Sequence, residues 1–260
     1  MMWKFEMDNN NSTSTPVEVG LRLEKEPKEE VVDPTFYRSI VGSLRYLCNT
    51  RPYIQKYSVG LISRFMQNLN VSHMNAAKRV LRYAWGITNS GILLPKKKQG
   101  EDLKLTTYSN VDWCGDKFNR RSTTGYIFFL GTTPISWSSR KESVVALSFY
   151  EAEYVAACEA SCQVVWLYSL MSELEVELNE KVKLLVDNKS AINLAHHPAS
   201  RGRSKHIETK FHYIREQVNK GSLGVEYCSS EKQLAYMFMK PLKREHFSQL
   251  RQLISVRSVS

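Results

Sequence analysis

Two carboxylates in this 260-residue sequence stand where a metal-dependent hydrolase would place its acids. Glu153 falls on the apolar stripe of a long predicted helix, because extending that stripe back from Ala156 by three residues reaches it. Asp187 directly follows an apolar run that predicts a strand. A carboxylate on the buried face of a helix is costly unless a cation or a hydrogen-bond donor meets it. Acids at strand ends, with one on a helix packed across the sheet, are the ligands that two-metal hydrolysis of a phosphodiester needs.

Each acid in this region also has a plainer explanation. Asp187 precedes a predicted helix, and taken alone its position favours an N-cap. Glu151 falls off the apolar stripe, so we expect an ordinary solvated residue there. Spacing therefore nominates Glu153 as the unusual acid and leaves Asp187 open between a helix cap and a metal ligand.

The elements that would position these acids are predicted from periodicity. Three runs joined by short turns predict an antiparallel meander: 103–113, 126–130 and 135–139. The long helix carrying Glu153 follows, then a strand over 181–186, further helices, a strand over 223–228 and a final helical section. We therefore expect an α/β fold with a mixed sheet.

The remaining parts of the chain predict other structures. Residues 1–34 are polar and poor in aromatic side chains, which favours a flexible lead. Residues 35–100 predict three short helices, on which we expect nothing catalytic. The sheet-containing domain is expected over 101–242, and a basic C-terminal tail over 243–260.

Composition limits the classes of partner and compartment. The formal net charge of +10 favours acidic polymers such as nucleic acid, although many soluble proteins are basic without such a partner. No apolar run approaches the roughly 18 residues that would span a membrane, so we expect no membrane association. The first residues lack the apolar core of a secretory signal, and the five scattered cysteines contain no CxxC pair. We expect an intracellular chain, with cytoplasm or nucleus and the oligomeric state left open.

A basic segment is the candidate contact for nucleic acid. It is interpreted either as a grip on phosphates or as a solvated face. Its members are Arg201, Arg203, Lys205, His206, Lys210 and Arg215.

A set of short motifs runs in order along nearly the whole chain. In the helical third, the motifs lie at 33–47, 50–52, 63–66 and 76–83. Downstream, they are Asp116 with 120–126, and 135–137, 151–154, 166–167, 187–191 and 205–207. Together they resemble the C-terminal part of copia-type retrotransposon Pol polyproteins. The resemblance runs in order from about Phe5 to Leu242 and implies a C-terminal fragment of such a polyprotein. It implies a thumb- or connection-like helical segment of the reverse transcriptase, followed by a ribonuclease H-like domain.

The resemblance also implies an activity, namely cleavage of the RNA strand of RNA–DNA hybrids with Mg²⁺ or Mn²⁺ held by four acids. Glu153 and Asp187 match two of those acids, as catalytic residues and metal ligands. The first-strand acid is replaced by Asn110 and the last acid by Tyr236. Asparagine offers a metal only a neutral oxygen, and tyrosine is a protonated phenol at pH 7. We therefore expect weak metal binding and weak or absent cleavage.

Asp112 is the one candidate to substitute for the missing first-strand acid. It shares a strand face with Asn110 but lies about 6.5–7 Å further along, whereas metal geometry tolerates a few tenths of an ångström. Rescue by Asp112 is not expected.

The favoured function is an impaired hybrid ribonuclease. The alternatives are an active enzyme rebuilt on Asp112, Glu153 and Asp187, and a catalytically dead nucleic-acid-binding or structural relic of the polyprotein.

Overall fold

The computed structural model describes most of the chain in two compact units. The described residues are 5, 11–24, 30, 32–96, 103–176, 178, 180–189, 192–193 and 205–258, without the side chains of 205–211. One unit comprises Met1–Leu93 with Lys240–Ser260, and the other comprises Leu94–Met239. The sequence-based domain boundaries remain predictions. Among the described helices, none combines the length and the apolarity needed to cross a membrane.

The first unit is mainly helical. Its helices are α1 (Pro34–Cys48), α2 (Lys56–Ile62), α3 (Val71–Gly86) and a C-terminal helix over Arg244–Leu253, and a strand β1 (Ser90–Ile92) pairs antiparallel with Val256–Ser258. Asp33 caps α1 by accepting hydrogen bonds from the backbone N–H groups of Thr35 and Phe36. The C-terminal residues predicted to form a tail therefore include a helix and a strand of this unit.

Residues 11–24, for which composition predicts a flexible segment, lie against α3. Val17 and Leu23 are buried. Arg79 forms an ion pair with Glu18 at 2.5 Å, and Arg82 Nε donates to the carbonyl of Asn11 at 2.8 Å. The segment is polar on average, but the burial of its Val17 and Leu23 and the contacts of Arg79 and Arg82 fix it to the first unit.

The second unit is built on a mixed five-stranded sheet, which confirms the predicted α/β fold class. Its strands are β2 (Leu105–Asp112), β3 (Thr123–Leu130), β4 (Thr133–Lys141), β5 (Val182–Val186) and β6 (Leu223–Tyr227). The spatial order is β4-β3-β2-β5-β6. The first three strands form the predicted antiparallel meander, and β5 lies parallel to both β2 and β6. This is the element order that the resemblance to a ribonuclease H-like domain implies.

Helix α4 (Phe149–Glu173) covers one side of this sheet. Ser148 caps it by accepting from the backbone N–H of Glu151 at 3.2 Å. Four residues of its predicted stripe, Ala160, Val164, Leu167 and Met171, are buried in one apolar cluster with residues of β2, β3 and β5. Ala156 lies in a smaller cluster, and Leu174, just beyond the helix, is exposed. A second long helix, α5 (Lys205–Asn219), and the short closing 3-10 helix Leu234–Phe238 complete the unit.

The register of β2 and β5 sets the position of the candidate site. Tyr108 pairs with Leu185 in the parallel ladder, so Asn110 and Asp187 each follow two residues later at the same edge. Asn110 pairs with Gly125 of β3. A Cβ on Gly125 would lie 2.9 Å from the carbonyl oxygen of Ala235, so glycine is needed for the closing 3-10 helix to approach β3.

Candidate functional site

Asp187 stands at the centre of the candidate site. It is half-buried and follows β5 directly. Its Oδ2 accepts hydrogen bonds from Asn110 Nδ2 at 2.8 Å and from the hydroxyl of Tyr236 at 2.9 Å. The structure therefore brings together three of the predicted positions, 110, 187 and 236.

Asn110 is fixed by its position in β2. It is 2% exposed, and its Oδ1 accepts from the backbone N–H of Val111 at 2.6 Å. This bond sets the orientation of the amide, so the Nδ2 group must point at Asp187. An aspartate at this position would face Asp187 with an oxygen instead.

Tyr236 is delivered by the closing 3-10 helix, which Gln233 anchors to the sheet. The buried Gln233 Nε2 donates to the carbonyls of Ser109 at 3.1 Å and Leu185 at 3.3 Å, bridging β2 and β5. Its Oε1 accepts from the backbone N–H of Ala235 at 3.2 Å. Sequence reasoning missed Gln233. The only signal available was a polar residue directly before the apolar Leu234.

The hydroxyl of Tyr236 is a proton donor at neutral pH. Burial raises the pKa of this phenol, and the negative charge of Asp187 raises it further. A protonated hydroxyl beside an acceptor-only carboxylate must donate, which agrees with the 2.9 Å bond to Asp187.

The two acids near the start of α4, Glu151 and Glu153, are both buried. Glu153 is 1% exposed, as the helix stripe predicts, and follows Ala152, which packs in a small apolar cluster with Val111 of β2. The proximity of Glu153 to Asp187 and its role as a ligand remain predictions. The expectation of a solvated Glu151 is wrong. This side chain is buried because its Oε2 accepts from the backbone N–H of Leu147 at 3.0 Å, ahead of the helix.

Asp112 lies two residues after Asn110, at the last position of β2. Its carboxylate lies against Gly115, where it leaves no room for a Cβ atom. The side chain therefore covers the start of the loop that follows β2, and its use as a substitute acid stays a prediction.

The basic segment is described only in part. Arg201 and Arg203 lie outside the described residues. Lys205, His206 and Lys210 belong to the first part of α5, for which the structure describes the backbone and not the side chains. Arg215 lies further along α5 and is partly buried. Phosphate binding by this segment remains a prediction.

The arrangement around Asp187 does not fit a pair of divalent ions. Among the described residues, no group of three or more His, Cys, Asp or Glu side chains could hold a metal. The same Asp187 oxygen already accepts from an amide and a phenol, which present the positive ends of their dipoles to it. A cation beside that oxygen would meet an N–H and an O–H group where two-metal chemistry needs carboxylates.

Comparison with known proteins gives sequence relatives along nearly the whole chain. No family model matches it. It is 42% identical over 246 residues, 95% of its length, to the retrovirus-related Pol polyprotein from transposon RE1 of Arabidopsis thaliana. It is 36% identical over 262 residues, 98% of its length, to the Pol polyprotein from transposon TNT 1-94 of Nicotiana tabacum. The chain spans only 16% and 19% of these two relatives.

Solved structures give weaker similarities. The chain matches the N-terminal RNase H domain of rv2228c from Mycobacterium tuberculosis with a TM-score of 0.39 and 11% identity. The match covers 58% of this chain and 98% of that chain.

Proposed function

Because this chain belongs to the family of copia-type, retrovirus-related Pol polyproteins from transposons, we propose that it is the ribonuclease H part of such a polyprotein, still able to bind nucleic acid but impaired in cleavage. The proposed ligand is an RNA–DNA hybrid, the substrate class that the family resemblance implies. One observation carries the proposed impairment. The Oδ2 atom of Asp187 accepts hydrogen bonds from Asn110 and Tyr236, the two side chains that stand in place of acids.

The impairment has an electrostatic reason. Hydrolysis by paired metals needs carboxylates to offset the mutual repulsion of two divalent ions, and the metals supply the activated water and stabilise the leaving oxygen. Of the four positions, only Glu153 and Asp187 offer a negative charge. Asn110 and Tyr236 instead neutralise part of the charge on Asp187 by donating hydrogen bonds to it. The proposed outcome is at most slow cleavage.

The proposal that the chain still binds nucleic acid rests on its positive charge. The formal net charge of +10 favours phosphate contacts, each of which releases counterions. Replacing Arg203 and Lys205 together with alanine should weaken hybrid binding at all sequences and flatten the salt slope by roughly 2. Removing two exposed cations of the helical unit, Arg45→Ala with Lys78→Ala, is the charge-matched control.

A cleavage assay on labelled RNA–DNA hybrid, with Mg²⁺ and then Mn²⁺, tests the proposal. The unmodified protein should bind hybrid and cut it slowly or not at all. The variant Asn110→Asp/Tyr236→Asp should cut measurably, and adding Glu153→Gln to it should abolish that gain. Efficient cleavage by the unmodified protein would contradict the impairment, and absence of hybrid binding would leave a structural relic of the polyprotein.

A further inference from the structure

The loop that follows β2, residues 113–122, is held in one conformation by Asp116. Asp116 Oδ1 accepts from the backbone N–H groups of Phe118 at 2.9 Å and Asn119 at 3.3 Å. Its Oδ2 accepts a hydrogen bond from Lys141 of β4. Arg120 has a positive φ of 55°, which tightens the turn. The loop is therefore preorganised, with Phe118 and Arg120 exposed at its tip.

A second segment, residues 143–150 before and at the start of α4, is fastened beside this loop. The indole N–H of Trp113 donates to the carbonyl of Ala146 at 3.2 Å. The rings of Trp113 and Phe149 meet edge to face with centroids 6.4 Å apart. Yet Trp113, Phe118 and Phe149 remain 40%, 54% and 46% exposed. Trp113 and Phe149 are thus fixed against each other, and all three rings stay open to solvent.

The exposed charges of these two segments are positive. Lys117, Arg120 and Arg121 are exposed, whereas the acids in and beside the segments are the buried Asp116, Glu142 and Glu151 and the half-buried Asp112, whose carboxylate lies against Gly115. We define the basic aromatic surface as these three cations together with Trp113, Phe118 and Phe149. Exposed rings among cations fit a strand of nucleic acid, because phosphates bind the cations and bases stack on the rings.

We propose that the basic aromatic surface binds single-stranded nucleic acid through unpaired bases stacked on its rings. A base inside a duplex is already stacked on its neighbours, so exposed rings select bases that have left a helix. The lysine and arginines of this surface also argue against an apolar protein partner, because the cores of protein–protein interfaces are depleted in charged residues. This inference rests on the nucleic-acid binding proposed above, but its ligand is a single strand rather than a hybrid duplex.

The test is a fluorescence anisotropy titration of the whole protein with three probes. These are a labelled oligothymidylate, an abasic strand of the same length, and an RNA–DNA hybrid. The unmodified protein should bind the oligothymidylate more tightly than the abasic strand. Phe118→Ala should weaken oligothymidylate binding about tenfold and leave the abasic strand unchanged. The substitution keeps the backbone N–H that holds Asp116, so the loop is expected to stay folded.

A second variant separates charge from stacking. Arg120→Ala with Arg121→Ala should weaken both single strands and flatten the salt slope by about 1.4. Arg45→Ala with Lys78→Ala removes the same charge from the other unit, and Tyr46→Ala removes an exposed ring there. Equal losses in these controls would overturn the assignment of the surface. Binding of hybrid without binding of oligothymidylate would overturn this inference alone, and binding of none of the three probes would overturn the proposed function as well.

Discussion

The hydroxyl of Tyr236 donates a hydrogen bond of 2.9 Å to the same carboxylate oxygen of Asp187 that accepts from Asn110. Tyr236 joins the closing 3-10 helix to the end of β5 through a neutral donor, where an acid would repel Asp187 unless a cation lay between them. The two positions at which the resemblance predicts acids meet at one atom, so their effects should be coupled.

Replacing Tyr236 with phenylalanine should lower the free energy of unfolding by about 1.5–3 kcal/mol. The ring stays in place, while Asp187 loses one of two donors, and bonds to charged groups contribute about this much. Urea denaturation measures the change.

A double-mutant cycle with Asn110→Ala and Tyr236→Phe tests the coupling. A coupling energy above about 0.5 kcal/mol is expected, because both side chains share one acceptor. Additive losses would show that the two bonds act independently.

Placing alanine at Gly125 should destabilise the sheet unit by about 1–3 kcal/mol. Its Cβ would lie 2.8 Å from Phe238 Cβ and 2.9 Å from the carbonyl oxygen of Ala235, and a backbone oxygen cannot move without displacing the closing 3-10 helix. Gly42→Ala is the control, because nothing lies within 4 Å of its Cβ in the helix α1. That variant should be neutral or more stable by about 0.5–1 kcal/mol. Thermal or urea unfolding distinguishes the two, and equal stability of Gly125→Ala and the unmodified protein would contradict the close approach.

Local periodicity predicted the sheet unit well because its signals are short-range. The meander depends on alternation within strands and on tight turns, and the stripe of α4 depends on spacing along one helix. The positions of Asn110 and Tyr236 in the site were implied by the resemblance, and their hydrogen bonds to Asp187 agree with that placement.

The residues that sequence reasoning missed take their partners from far along the chain. Gln233 binds the carbonyl of Ser109, which lies 124 residues earlier. Residues 11–24 were predicted to be flexible because the average composition of the segment is polar and hides its two apolar side chains. The contacts that fix this segment come from α3, more than 60 residues later in the chain. Glu151, in the first turn of α4, accepts a hydrogen bond from the backbone N–H of Leu147. Helix periodicity does not predict such a bond to a residue that precedes the helix.

The stability of the sheet unit should fall with acid because of Asp116. Burial raises the pKa of this carboxyl, but the hydrogen bonds from Lys141 and from the loop backbone outweigh it and hold the pKa below its ordinary value of 3.8. The unfolded state then binds more protons near that pH, so stability is present above about pH 4 and is lost as the pH falls through the folded-state pKa. Below about pH 4, urea midpoints of the unmodified protein should therefore drop more steeply than those of Asp116→Asn. Parallel curves would mean that Asp116 does not hold the loop through its charge.

The last prediction concerns the metal. In the unmodified protein, Mg²⁺ should leave the melting temperature unchanged, because the Asp187 oxygen already accepts from Asn110 and Tyr236. Asn110→Asp places an oxygen where Nδ2 now lies 2.8 Å from Asp187, and the two carboxylates should repel each other. This variant should melt at a lower temperature without metal and recover on adding Mg²⁺, by about 2.7 kcal/mol at a hundredfold excess over Kd. Asn110→Ala is the control, since it removes the donor without adding charge and should melt lower with no response to Mg²⁺. Differential scanning fluorimetry across a Mg²⁺ series reports all three, whether or not cleavage returns. A Mg²⁺-dependent rise in the melting temperature of the unmodified protein, equal to that of Asn110→Asp, would show that the hydrogen bonds at Asp187 do not exclude the ion.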